Sequence, residues 1–326
     1  MDWHTAWDAI EVEAQARTSN PDRLREGKTL GVDEHIWRPS RIGVDRAVTI
    51  MVDLSRDQDG CLHARLLDAA LGRSGNVYKA WLTAQPEGFI DGVEHAALDP
   101  FRGYANAIRD RLPDAVAVLD AFHVVRLGTQ VVDEVRRRVQ QDTLGRRGHK
   151  HDPLYKIRGL LRHGVEHLTD KQQAKISACL DAGDPTDEVN LTWQCYQQLR
   201  SIYHAAPAKG REIAIKVLDS FHTCPIPEVA RLGRTLRAWR AQVLAYFDTS
   251  GVSNGGTEAI QPDHRESPPA RPRLQRFRSL QTPNHARRQR SKTVPKSTSP
   301  CLDPKTRESS GPAPRYYDTV LDVASR

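Results

Sequence analysis

The apolar patterning of this chain changes period once, and that change limits the folds open to it. Between Thr29 and Leu119 apolar residues fall in strand-length runs rich in β-branched side chains. From about Phe122 to Phe247 they recur at helical spacing with no alternation. A sheet must therefore come from the first part and a helical body from the second. The strand-like runs are Thr29–Trp37, Ala47–Leu54, Leu62–Ala70, Glu94–Leu98 and Ala115–Leu119. Helices are expected at Asn76–Thr83, stopped by Pro86-Glu87-Gly88, and at Phe101–Leu112, closed by Pro113. The order is β-β-β-α-β-α-β. A meander followed by crossovers gives an α/β fold, a mixed five-stranded sheet with helices on its faces. Ala115–Leu119 is apolar throughout, as a buried parallel strand is. Beyond it five or six helices are expected, Arg231–Phe247 among them as one helix.

Composition adds a boundary. The 326 residues carry a net charge of +7, which suggests a nucleic-acid partner until it is divided along the chain. Residues 261–326 hold 14 Lys/Arg against 6 Asp/Glu and half of the 20 prolines, so the rest of the chain is nearly neutral. So polar and proline-rich a segment cannot bury enough apolar surface to offset its chain entropy, and a disordered tail is expected. The expected organisation is a residual helix and linker over 1–27, the first part of the sheet core over 28–125, a helical insertion over 126–250, a short helix start over 251–260, and the basic tail over 261–326. No apolar run approaches the ~18–20 residues of a membrane span, and Met1-Asp2-Trp3-His4 does not open a signal peptide. Five scattered cysteines without a Cys-x-x-Cys pair point to reduced thiols. A soluble, cytoplasmic protein with no membrane partner is expected.

Three acidic residues stand where chemistry could be built. Asp33 lies in the first strand (Gly31-Val32-Asp33-Glu34-His35), Asp99 at the end of the fourth (Leu98-Asp99-Pro100-Phe101), and Glu258 in Ser253-Asn254-Gly255-Gly256-Thr257-Glu258. The strand order is that of an RNase H-like core, in which the first and fourth strands are neighbours. Carboxylates at their ends would converge about one strand spacing (~4.8 Å) apart. Two-metal phosphodiester chemistry needs such carboxylates to hold a pair of magnesium ions. Asp120, in Leu119-Asp120-Ala121-Phe122-His123, competes for the second position. Its strand is one place further from the first, roughly 10 Å away by the same spacing. Geometry ranks Asp99 above Asp120 and leaves Asp120 and His123 as a supporting pair. Taken singly, these residues have plainer readings: a strand-end Asp forms turns, a lone His satisfies a core or a cap, and Thr257 caps a helix.

Together the stretches Gly31–Trp37, Leu119–Val125 and Ser253–Ile260 resemble the DDE domain of the ISL3 family of insertion-sequence transposases, over roughly residues 1–260. The resemblance implies an RNase H-like catalytic fold interrupted by an all-α insertion. It also implies a triad of Asp33, Asp99 and Glu258 binding two magnesium ions, with manganese as a substitute, and cut-and-paste transposition by strand cleavage and strand transfer. The implied partners are transposon terminal inverted repeats, target DNA and further copies of the chain, in a bacterial, nucleoid-associated setting. Asp120-Ala121-Phe122-His123 is similar to an acidic-x-x-His motif of related transposases.

Two departures qualify this. The family begins with a cysteine-rich zinc segment and a helix-turn-helix, and this sequence is expected to start at the last helix of that region, without those cysteines. After Ile260 the sequence turns into Gln261-Pro262-Asp263-His264-Arg265-Glu266, whose plausible codons shifted by one base read Asn-Leu-Ile-Ile-Glu. A frameshifted tail, and with it a catalytically inactive remnant able only to fold, dimerise or bind DNA weakly, is therefore the alternative to an active enzyme.

Overall fold

The structure, a computed structural model, describes residues 24, 27–36, 47–57, 59–62 and 64–255. The expected N-terminal helix, Glu258 and the basic tail lie outside the described residues. The described chain forms two compact units, one of residues up to 118 together with 252–255, the other of residues 119–251.

The first unit is built on a five-stranded mixed sheet in the order β3-β2-β1-β4-β5. Its strands are β1 (Thr29–Ile36), β2 (Ala47–Asp53), β3 (Arg65–Leu71), β4 (His95–Leu98) and β5 (Val116–Leu119). β1 is central. It pairs antiparallel with β2, Asp33 opposite Ile50, and parallel with β4, Val32 opposite Leu98. β2 (Ala-Val-Thr-Ile-Met-Val-Asp) is buried along its whole length, which explains why it reads as a near-continuous apolar run.

Alternation sorts the side chains onto two faces. One face gathers Val48, Ile50, Val52, Leu54 and Ala97, with Val252 packed against them. On the other, Thr49 meets Tyr104 of α3 (Arg102–Arg111), Oγ1 and the hydroxyl lying 3.3 Å apart. Tyr104 in turn meets Tyr78 of α1 (Gly75–Thr83) edge to face, ring centres 5.6 Å apart. α1 and α3 approach backbone to backbone: a Cβ on Gly75 would sit 2.4 Å from the Gly103 carbonyl oxygen.

α1 ends at Thr83, ahead of Pro86, as expected. Beyond Pro86 the chain adds a short helix, α2 (Glu87–Ile90), that was not expected. Proline lacks an N–H and has a fixed φ, so it suits a helix start as well as a stop. β3 begins at Arg65 rather than at Leu62, which forms only an isolated bridge to Arg56.

The second unit is helical: α4 (Ala121–Leu144), α5 (Pro153–Ile157), α6 (Asp170–Gly183), α7 (Glu188–His204), α8 (Pro207–Ser220), α9 (Pro227–Ala238) and α10 (Arg240–Asp248). These seven exceed the expected five or six, partly because the stretch expected as one helix over Arg231–Phe247 is two. Trp239 leaves helical geometry at φ −110° and ψ 18°, and its ring is buried. The apolar positions keep their spacing across that single residue, so periodicity could not reveal the break. α4 holds the unit together. Its valines (Val124, Val131, Val132, Val135, Val139) are buried, and Gly128 lets Tyr196 and Leu199 of α7 come close. Arg138 on α4 bonds Glu188 of α7 at 2.9 Å and Glu228 of α9 at 2.7 Å. Among the described residues no helix is long and apolar enough to cross a membrane.

Candidate metal centre

Asp33 and Asp99 owe their proximity to register and to one proline. The β1–β4 ladder ends at Val32 opposite Leu98, so the next residue on each strand is an aspartate. A residue before proline is kept out of helical geometry. Pro100 therefore prolongs the extended run of β4 by one residue, and alternation puts Asp99 on the face of Ala97. Gly31, Asp33, Ala97 and Asp99 share that face. The chain then turns at once, the Phe101 N–H donating to the Asp99 carbonyl at 2.6 Å, and α3 begins.

Carboxylate oxygens of Asp33 and Asp99 lie within 4.8 Å of each other. Asp33 is 6% exposed and Asp99 is half-buried. The Glu34 N–H donates to Asp33 Oδ1 at 2.7 Å, which fixes one oxygen. The local field is negative enough to reach a neighbour. Burial first, then the charges of Glu34, Asp99 and Asp33, push the Tyr104 hydroxyl up to about 12, against the lowering effect of its bond to Thr49. Two carboxylates side by side repel unless a proton or a cation lies between them. Carboxylate oxygens suit a hard divalent ion such as magnesium.

A third element joins this face. Asn254, 2% exposed, donates from Nδ2 to the Val32 carbonyl at 2.9 Å, across 222 residues of sequence. Gly31 makes room for it. A Cβ there would lie 2.4 Å from Asn254 Oδ1 and 2.5 Å from Leu54 Cδ1. The chain that leads to Glu258 is thus moored to β1 next to Asp33. Sequence reasoning missed Asn254. Its one signal was Gly31, since a glycine inside a strand marks close approach of other groups.

Asp120 and His123, in the helical unit, form a pair of their own. Asp120, 2% exposed, caps α4: its Oδ2 accepts the His123 N–H at 3.0 Å and lies 2.9 Å from His123 Nδ1. This contact fixes the ring orientation and the proton on Nδ1, as a carboxylate does for a working histidine. Tyr203 packs close enough that its hydroxyl is raised far above the usual value, by burial first and then by the charge of Asp120.

The fold and the aspartate pair define an α/β protein in which a carboxylate inside the central strand meets one just past the end of the adjacent parallel strand. The sequence pattern of a transposase family, ISL3, matches residues 30–264, and the chain belongs to that family. It is 25% identical over 278 residues to a transposase for insertion sequence element IS1557 of Mycobacterium tuberculosis, covering 79% of this chain and 59% of the relative. To a transposase for insertion sequence element IS1001 of Bordetella parapertussis it is 26% identical over 205 residues, 59% of this chain and 46% of the relative. The chain therefore spans about half the length of these relatives.

Proposed function

We propose that this chain is the catalytic part of an insertion-sequence transposase of RNase H-like type, a DDE enzyme whose Asp33, Asp99 and Glu258 hold two magnesium ions. The observation that carries this reading is the convergence of Asp33 and Asp99 on the sheet face to which Asn254 ties the returning chain. Glu258 follows Asn254 by four residues, about one helical turn, or ~6 Å of rise if the segment is helical.

Magnesium bound there would activate the attacking water or 3′-hydroxyl and stabilise the leaving oxygen of an in-line displacement. The chain's own residues have separate tasks. Asp33 and Asp99 supply oxygens from rigid strands, where the ladder limits their movement. Asn254 fixes the start of the segment that brings the third carboxylate. Asp120 and His123 support the centre by holding one imidazole in a single tautomer. The substrates are DNA, namely element ends and target, and the working form is a homo-oligomer. The test is strand cleavage of end-bearing DNA by a full-length, in-frame version. Asp33→Ala or Glu258→Ala should abolish cleavage while end binding persists; cleavage surviving either change removes that residue from the triad.

The second reading, an inactive remnant, is favoured by the sequence after Ile260. Pro262, Pro268, Pro269 and Pro272 follow closely, no apolar stripe remains to pack a helix, and a helix of one turn is not stable alone. A manganese-dependent cleavage assay comparing this chain with the one-base-shifted sequence decides between them. Equal rates overturn the remnant reading.

A further inference from the structure

In the helical unit most arginines hold a carboxylate. Arg136 bonds Asp133, Arg138 bonds Glu188 and Glu228, Arg146 bonds Asp152, and Arg240 bonds Asp219. Among the described residues several arginines have no such partner, and cations without one are gathered most densely at one place. An open cleft of roughly 710 Å³ between α5, the 3₁₀ turn Leu160–Arg162 and α6 is lined by Lys156, Arg158, Arg162, His163, Lys171 and Lys175, and no Asp or Glu lines it. Among the described residues none of its five Lys/Arg side chains forms an ion pair. All of them are exposed.

The backbone beneath these charges is fixed. The Tyr196 hydroxyl donates to the Arg162 carbonyl at 2.7 Å, and Gln197 Nε2 donates to the His163 carbonyl at 3.0 Å. α6 begins in a capping box between Thr169 and Gln172. That holds Lys171 and Lys175 one turn apart on one face, with Cβ atoms about 5–6 Å apart. The Arg158 guanidinium lies 4.0 Å over the Tyr155 ring. The ring is thereby covered and offers no free platform for a stacked base. Like charges gathered on a rigid surface repel one another, and an anion relieves that cost. Two or three donors satisfy a single phosphate; five cations spread along an open cleft suit a chain of phosphates.

We propose that this cleft grips the phosphodiester backbone of duplex DNA without reading its sequence. The proposal does not depend on the metal centre and is tested without metal. The full chain is titrated by fluorescence anisotropy against a 30-base-pair duplex of arbitrary sequence between about 50 and 200 mM salt. Five phosphate contacts in the cleft contribute about −4.5 to the slope of log affinity on log salt, at about 0.9 per contact. Combining Lys156→Gln, Arg162→Gln and Lys175→Gln should make the measured slope shallower by about 2.7 and weaken binding at least tenfold, by roughly one unit of slope per lost contact. A control with the same net charge (Lys150→Gln, Lys216→Gln, Arg234→Gln) should bind within about threefold of the parent with its slope kept. Melting temperatures should match in all three proteins, because the changed side chains are exposed. If the cleft variant behaves like the control, DNA binding resides elsewhere and the proposal falls. It falls equally if low-millimolar inorganic phosphate displaces the duplex from the parent chain, which would make the cleft a small-anion pocket.

Discussion

The sheet unit and the helical unit treat charge in opposite ways. On the sheet, Asp33 and Asp99 are brought side by side by register. In the helical unit, Glu188 and Glu228 are also neighbours, but Arg138 stands between them and bonds both. A guanidinium between carboxylates makes a staple that closes on itself. Two carboxylates meeting on one sheet face, and five cations lining one cleft, gather like charge instead. Internal neutrality thus marks architecture in this molecule, and gathered like charge marks the places where the proposed cation and the proposed polyanion would bind.

The largest expected effect tests the aspartate pair. Asp33→Asn keeps the shape and removes one of two like charges. Manganese binding should fall by at least tenfold, while the metal-free melting temperature rises by a few degrees. A lower melting temperature with unchanged manganese binding would show that Asp33 is an ordinary structural acid. Next come the residues that moor the returning chain. Gly31→Ala drives a methyl into Asn254 and Leu54, at about 1–3 kcal/mol for overpacking. Asn254→Ala deprives the Val32 carbonyl of its donor at a comparable cost of about 1–3 kcal/mol. Chemical denaturation gives both values. If the mooring serves the metal centre, Asn254→Ala also weakens manganese binding, with no further loss in the double variant with Glu258→Gln; additive losses would separate the two residues.

Arg138→Met leaves Glu188 and Glu228 facing each other across a half-exposed gap. The helical unit should lose about 1–2 kcal/mol, less than a fully buried pair because solvent screens it. Against the effect of burial, Arg138 holds the Glu228 carboxyl below the usual range, so the loss should shrink as pH falls and Glu228 takes up its proton; a loss independent of pH would mean that packing, not charge, is the cause. The smallest effect concerns the thiols. A hydrogen bond from Cys195 brings the Cys224 thiol down to about 7, and the same bond together with burial raises Cys195. Alkylation of Cys224 should therefore reach half its limiting rate near pH 7. Cys195→Ala should move that midpoint up toward the ordinary thiol value near 8.5; an unmoved midpoint would exclude the pairing.

Much of the sheet was legible because alternation and burial are local properties. β1, β2, β4 and β5 begin and end within a few residues of the apolar runs that announced them, and the RNase H-like strand order placed β1 beside β4. Helix ends were harder. Trp239 breaks a helix without breaking its apolar spacing, and the four-residue helix after Pro86 is too short to show a period. The basic cleft was invisible for another reason. Lys156, Arg162 and Lys175 lie on three separate elements, and in the sequence each looks like part of an ordinary solvated face.

The sequence by itself determined the order of strands and helices, and the bias toward extended backbone that Pro100 imposes on Asp99. All of these follow from short-range sterics and from the two-residue period of a strand. Only the tertiary structure decided that Asn254 would reach the Val32 carbonyl, that Gly31 would be the notch it occupies, and that five cations would share one cleft. Those contacts join residues up to 222 positions apart. No local preference encodes them, because a chain's periodicity says which face a residue occupies and not what that face will meet.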